Sequence, residues 1–370
     1  MNVRRLLTRT VLVLMIVLGI AFAVAWVRSD NDCAAQRASR PSAPMRAVVY
    51  CDYGTPDVLT IAQIEKPVPQ DTQVLVRVKA ASVNPVDWHM MRGTPYVMRL
   101  GSGLRKPAVT RTGVDFAGVV EAVGRQVSRF KVGDEVFGGR TGSLADYIVV
   151  SEDRAIVLKP ATVTFDQAAA VGVAGLTALQ GIRDRGQVTK GQRVLINGAS
   201  GGVGTFAVQI AKYLGAELTA VCRTRNVELV RSLGADHVID YTREDFTTRG
   251  RRYDVMLDNV GNRPVSACRR VIVANGKYVL VGGGGPDDHR IIGPLGRALS
   301  LYAVSPFVRQ QLGMFIAELN RDDLDWFAGA MQSGNVTPVI DRRYPLAQAA
   351  DAMRYLETGR ARGKVIVTME

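Results

Sequence analysis

The chain has 370 residues, enough for two domains, and 47% of them are hydrophobic, so a packed core is affordable along nearly its whole length. The formal net charge of +13 comes without a run of five basic residues or a basic helix interleaved with aromatics, which excludes a nucleic-acid-binding module and leaves an Arg-rich surface. Four cysteines (33, 51, 222 and 268) lack CxxC spacing and only three histidines are present, so neither a zinc cluster nor a disulfide framework is indicated.

In chain order, Arg4, Arg5 and Arg9 precede an unbroken apolar run, Val11–Val27. As a helix it spans about 25 Å, the short end of what a bilayer demands. It reads as an uncleaved membrane anchor, because the apolar run continues past Ala21-Phe22-Ala23, the alternative being a signal peptide cleaved at that A-x-A site. Three arginines before the run face three after it (Arg28, Arg37, Arg40), so charge does not orient the anchor. Residues 28–44, small and polar, read as a linker.

From Met45 the texture is β-rich: 47–50, 73–80, 118–123, 148–150 and 155–159 have strand character, separated by turn residues, as in a partly open barrel. After Phe165 helix and strand alternate. A helix is expected over 166–185, strands at 193–197, 218–222, 237–239, 255–258 and 278–281, and helices at 202–214 and 227–233. That alternation predicts a doubly wound parallel sheet, giving an α/β chain of two lobes. Over 291–319 the apolar spacing predicts two amphipathic helices, one on each side of Pro306. Such faces suit packing against the protein's own core or a partner subunit, or a membrane-lying element.

The stretch Gly198-Ala199-Ser200-Gly201-Gly202-Val203-Gly204 leaves an expected strand and opens an expected helix. In that context Gly198 permits the tight turn, while Gly201 and Gly202 admit a pyrophosphate close to the backbone. Gly204 lets the helix pack on the strand, and Ser200 and Val203 lie where free N–H groups meet the phosphates. An NAD site usually carries an acid about 20 residues on, at the ribose 2′-hydroxyl. Here Arg223, Thr224 and Arg225 fill that window, and their charge and hydroxyl suit a 2′-phosphate, predicting NADPH.

Further motifs appear in order: Tyr53-Gly54-Thr55-Pro56-Asp57-Val58-Leu59, Ser82-Val83-Asn84-Pro85-Val86-Asp87, Gly113-Val114-Asp115-Phe116-Ala117-Gly118, Gly142-Ser143-Leu144-Ala145-Asp146-Tyr147, Gly175-Leu176-Thr177-Ala178, Leu233-Gly234-Ala235-Asp236, Leu257-Asp258-Asn259-Val260-Gly261 and Arg362-Gly363-Lys364-Val365. From Met45 to Glu370 the chain resembles the medium-chain dehydrogenase/reductase superfamily, above all its zinc-free quinone oxidoreductase branch with zeta-crystallin-like and reticulon-interacting oxidoreductase-like members. The resemblance implies a GroES-like barrel over 45–165, completed by 320–370, around a Rossmann NADPH-binding domain over 166–319, with the cofactor in the cleft between them. It also implies a dimer. Zinc-dependent members carry Cys where this chain has Asn84 and Gly-His-Glu where it has Gly113-Val114-Asp115, so a catalytic zinc lacks its ligands.

Carried over residue by residue, Asn84 faces nicotinamide and acceptor and Thr177 lies near the carboxamide. Tyr241 lies near the 2′-phosphate, and Asn259, Gly282 and Lys364 line the cofactor. Asp87 is a candidate proton donor, although a structural turn carboxylate is the simpler role. The expected reaction is hydride transfer from NADPH to a quinone or an α,β-unsaturated carbonyl, with Asn84, backbone N–H groups or water stabilising the oxyanion. The alternatives are a zinc-type alcohol dehydrogenase and a membrane-tethered NADPH-binding assembly factor with little turnover. Since NADPH is cytosolic, the body of an anchored protein is expected to face the cytoplasm; export is the alternative.

Overall fold

The structure, a computed structural model, describes residues 3–27, 31, 33, 40–285 and 291–369, so most of the expected linker lies outside the described residues. Helix α1 (Val3–Val27) forms at the apolar run, where no proline or β-turn residue interrupts it. The barrel lobe follows with β1 (Pro44–Val49), β2 (Thr60–Glu65), β3 (Gln73–Val83), α2 (Pro85–Arg92), α3 (Arg99–Ser102), β4 (Asp115–Val123), β5 (Glu135–Gly139), β6 (Tyr147–Ser151) and β7 (Ile156–Leu158). The parallel lobe runs through α4 (Phe165–Ala169), α5 (Gly172–Leu179), β8 (Arg193–Asn197), α6 (Gly202–Tyr213), β9 (Glu217–Cys222), α7 (Val227–Ser232), β10 (His237–Asp240), β11 (Tyr253–Asp258), α8 (Val265–Arg270), β12 (Ile272–Leu280), α9 (Pro294–Val304) and β13 (Gln311–Met314). The chain then crosses α10 (Arg321–Gln332) and returns through β14 (Ile340–Pro345), α11 (Ala349–Glu357) and β15 (Lys364–Thr368).

Among the described residues the strands form three sheets, β1-β2, β14-β15-β3-β4-β5-β7 with β6 against β3, and β10-β9-β8-β11-β12-β13. In the last sheet β8 and β9 are the first two strands in sequence and β11 the fourth, so the order reverses between β8 and β11. Their carboxyl ends, Asn197 opposite Asp258, form the crevice where open α/β sheets hold ligands. Antiparallel pairing of β15 with β3 brings Val365 beside Val83, and with it the chain's end beside Asn84. One core, including Ala117, Phe137, Leu176, Ile196, Phe206 and Phe327, is shared by the two lobes, which fixes the cleft between them.

Four expectations are corrected. The helix over 166–185 is interrupted at Ala170–Val171, between α4 and α5, and widens over Gln180–Arg185; Gly172, whose Cβ would overlap the Asp115 carboxylate, lets α5 start against that side chain. The second amphipathic helix of 291–319 does not form: Gln311–Met314 pairs in parallel with Lys277–Leu280 as an edge strand, and this ladder outweighs the helical spacing of its apolar residues. Cys33 and Cys51 are joined by a disulfide, Cα–Cα 5.5 Å. Their spacing carries no signature, and only the fold of β1 brings them together. Finally, among the described residues no helix is long and apolar enough to cross a membrane. The uninterrupted run of α1 reaches about 25 Å against a hydrocarbon core of about 30 Å.

Candidate active site at the lobe interface

The glycine turn has the expected construction. Gly198 sits at φ +78°, where a Cβ would meet Val260 Cγ2 at 2.7 Å. A Cβ on Gly204 would overlap the Gly198 carbonyl oxygen, so the start of α6 lies directly on the end of β8. Over Gly201 the nearest atom to a Cβ is 3.7 Å away, which leaves an open cradle before the N–H groups of Gly202 and Val203. Gly282, past β12, is likewise open. Beside Gly198 both side-chain polar atoms of Asn259 are buried and neither is bonded. A buried amide without partners is costly unless a ligand completes it. The unpaired Asn259 amide and the open cradle therefore fit a dinucleotide.

Below the crevice Asp258 acts as a hub. Its Oδ1 accepts from Asn197 Nδ2 (2.9 Å) and from the N–H groups of Val260 (3.1 Å) and Gly261 (2.8 Å). Its Oδ2 accepts from Tyr278 Oη (2.6 Å), which in turn accepts from Arg297 Nη2 (2.9 Å). Burial pushes the Tyr278 hydroxyl well above its usual range, and Asp258 adds to the shift, so it stays a donor. These residues hold the loop after β11 rigid. Arg297, on α9, faces inward to this hub and donates to the Gly261 carbonyl (2.8 Å).

The residues expected near the 2′-phosphate gather at the ends of β9 and β10, with different commitments. Arg223 and Tyr241 are exposed. Thr224 Oγ1 donates to Asp240 Oδ2 (2.6 Å), while Arg225 Nη2 reaches the Arg360 carbonyl (2.7 Å). Ser200 Oγ accepts from Asn226 Nδ2 (2.8 Å), and Asn226 Oδ1 is left without a partner. Asn226, given no role from the sequence, is thus a further polar group beside the glycine turn.

Where β3, β4 and β15 meet the start of α5 lies a sealed polar cluster. Asp115, fully buried, accepts on Oδ1 from the N–H of Val173 at the start of α5 (2.7 Å). Its Oδ2 accepts from Ser82 Oγ (2.8 Å), Asn84 Nδ2 (2.9 Å) and Lys364 Nζ (3.3 Å). Lys364 also donates to Asn84 Oδ1, and its stem lies against Gly202. Thr177 Oγ1 donates back to the Val173 carbonyl (2.6 Å) on the adjoining turn. Lys364 therefore joins the barrel, Asn84 and the glycine turn. Asp115, named in a motif but given no role from the sequence, is the common anchor. No local signal marks it, since its partners lie on β3, α5 and β15.

Asn84 is not free to donate to a substrate: both ends of its carboxamide are bound within the protein. Asp87 is sealed as well. Its Oδ2 accepts from Asn84 N (2.7 Å) and its Oδ1 from Gly113 N (3.1 Å), which ties the start of α2 to the loop before β4. Burial raises its pKa to about 7, the nearby Asp115 adding to the rise. A carboxyl with a raised folded pKa lends its stability in full below its unfolded value and loses it as pH rises through the folded one. Between about pH 4 and pH 7, relative to Asp87→Asn, the wild type should lose about 1.4 kcal/mol per pH unit. Urea unfolding across that window tests this; a pH-independent difference would refute it. His89 closes its own turn, with Nδ1 2.6 Å from the Thr94 carbonyl, and its ring lies on that of Trp88 (centroids 3.7 Å apart). Among the described residues, no group of three or more His, Cys, Asp or Glu side chains could hold a metal ion.

Comparison with known proteins gives the family. Residues 70–161 match the family described as alcohol dehydrogenase GroES-like domain, and residues 233–367 that described as zinc-binding dehydrogenase. The chain is 35% identical to a 2-methylene-furan-3-one reductase of Solanum lycopersicum, over 92% of this chain and 83% of that protein. The chain belongs to the medium-chain dehydrogenase/reductase superfamily. Another member, the NADPH-dependent alkenal/one oxidoreductase of Arabidopsis thaliana, is 35% identical over 87% of this chain and 79% of its own. In this superfamily the quinone oxidoreductase structure from Coxiella burnetii superposes with a TM-score of 0.78 at 29% identity, covering 88% of this chain and all of the other.

Proposed function

We propose that the protein is an NADPH-dependent, zinc-independent reductase of quinones or α,β-unsaturated carbonyls. The observation that carries this reading is the cleft between the open glycine cradle and the Asn84–Lys364–Asp115 cluster, with neutral Asn84 and Val114 where a catalytic zinc would need Cys and His. The superfamily's named quinone and alkenal reductases support it. Bound NADPH supplies the hydride. The Asn259 amide takes up its missing hydrogen bonds from the cofactor, and Thr177 and Lys364 border the nicotinamide end. An ammonium has three N–H groups. Two of those on Lys364 serve Asn84 and Asp115, and the third is directed to the cofactor or the acceptor oxygen in place of the committed Asn84. The shared core holds the two lobes around the cleft. The proton that completes the reduction comes from water.

NADPH preference rests on Arg223 and Arg225. Replacing both with alanine should raise the KM for NADPH at least about tenfold, since a charge-assisted bond contributes about 1.5–3 kcal/mol, and leave that for NADH nearly unchanged. Steady-state kinetics of the full chain with both cofactors and a short-chain quinone tests the pair; equal effects on the two would remove the 2′-phosphate argument.

A homodimer is proposed through β13, the edge of its sheet, flanked by strongly exposed Phe307 and Ile316. Light scattering should show a dimer that Ile316→Lys converts to monomer. Attachment to a membrane is proposed through α1, inserted without crossing. The Cys33–Cys51 bond favours an oxidising compartment, against the cytoplasmic side expected from the cofactor. Thiol labelling in intact cells decides the side: labelling of Cys33 and Cys51 without prior reduction would return the body to the cytoplasm.

A further inference from the structure

From Val11 to Val27 helix α1 is apolar on every side. Met15, Ile16, Val17 and Leu18 are each more than half exposed, and four consecutive helical positions spread over about 300° of the circumference. A protein groove covers one face of a helix, whereas hydrocarbon surrounds it. The helix is also held in place. Its Trp26 ring lies 5.1 Å from the Arg105 guanidinium carbon, and it packs on α3. Beyond its end, Asn31 Nδ2 donates to the carbonyls of Cys51 and Pro107, both at 3.0 Å, and the Cys33–Cys51 bond staples the segment to the barrel.

The staple lies beside the acceptor end of the cleft. Residues 94–108 follow directly on α2, the helix that Asn84 begins. Their Val97 N–H donates to the Ile291 carbonyl (3.2 Å), joining them to the segment that opens α9. From there Arg297 reaches back to Gly261 beside the crevice. Both rims present apolar side chains outward: Tyr96 and Leu100 on one, Ile291 and Leu295 on the other. Leu100 belongs to α3, on which α1 packs, so these exposed apolar side chains continue the apolar surface of α1.

We propose that a lipid bilayer covers this face, and that the acceptor is a membrane-partitioned quinone or enone entering between residues 94–108 and the start of α9. The proposal rests on the reductase reading given above. The disulfide sets the orientation, by fixing the inserted helix beside the mouth.

The test uses the full chain with vesicles of phosphatidylcholine and phosphatidylglycerol. It should float with them, and consume NADPH both with a short-chain water-soluble quinone and with a long-tailed quinone embedded in the vesicles. Cys33→Ser/Cys51→Ser, and separately Ile291→Glu, should leave turnover with the soluble quinone unchanged and lower that with the embedded quinone at least tenfold. Failure to float, or rates on the embedded quinone untouched by both variants, overturns the proposal. Turnover with the soluble quinone alone overturns the lipid route and leaves the reductase reading standing. No turnover with either acceptor overturns both.

Discussion

Asp115→Ala should destabilise the protein by about 3–5 kcal/mol, because it leaves the Lys364 ammonium buried without its counter-ion. At about 2–4 °C per kcal/mol that is a fall of order 10 °C in thermal midpoint. Asp115 accepts four hydrogen bonds from β3, α5, Asn84 and β15, so its loss also frees the Asn84 carboxamide and the start of α5. Turnover should fall with stability. The double variant Asp115→Ala/Lys364→Met separates charge from packing. It should recover part of the lost midpoint, because the unpaired charge is gone, yet recover no activity. Strictly additive losses in the double variant would show that the two side chains are not coupled.

Gly204→Ala should abolish NADPH binding and lower the thermal midpoint together, whereas Gly201→Ala should lose only the cofactor. The distinction follows from what a Cβ meets. At Gly204 it overlaps the Gly198 carbonyl and lies 2.7 Å from Ala199 Cα, so α6 must move off the end of β8 and the turn opens. At Gly201 it meets nothing of the protein within 3.7 Å, and the φ of −83° suits alanine. The methyl there occupies space that the pyrophosphate needs, and the Kd for NADPH should rise at least about tenfold, which is about 1.4 kcal/mol. Fluorescence titration of NADPH beside thermal melts of the two variants reads both quantities. A Gly201→Ala protein that binds NADPH normally would show that the phosphates do not approach there.

Much of this site was legible because it is built locally. The turn over 198–204 needs only a buried strand, glycines at positions of close approach and a helix start, all within one short stretch. The alternation of strand and helix after Phe165 likewise gives the parallel lobe, and the motifs through Lys364 give the superfamily. Local periodicity misled where a long-range ladder competed with it: Leu312 and Phe315 share a helical face in sequence, but the exposed edge of β12 claims Gln311–Met314.

The sequence by itself determined which residues make the glycine turn, that Asn84 and Val114 stand where zinc-dependent members carry ligands, and that an apolar helix precedes the barrel lobe. Only the tertiary structure decided how Asn84 is used. Lys364 reaches it across 280 residues and Asp115 across 31, and no spacing rule encodes such a contact. The same holds for Cys33 and Cys51, whose pairing depends on where β1 ends. Backbone geometry is written in near neighbours, whereas the charges that orient a side chain come from strands brought together by the sheet.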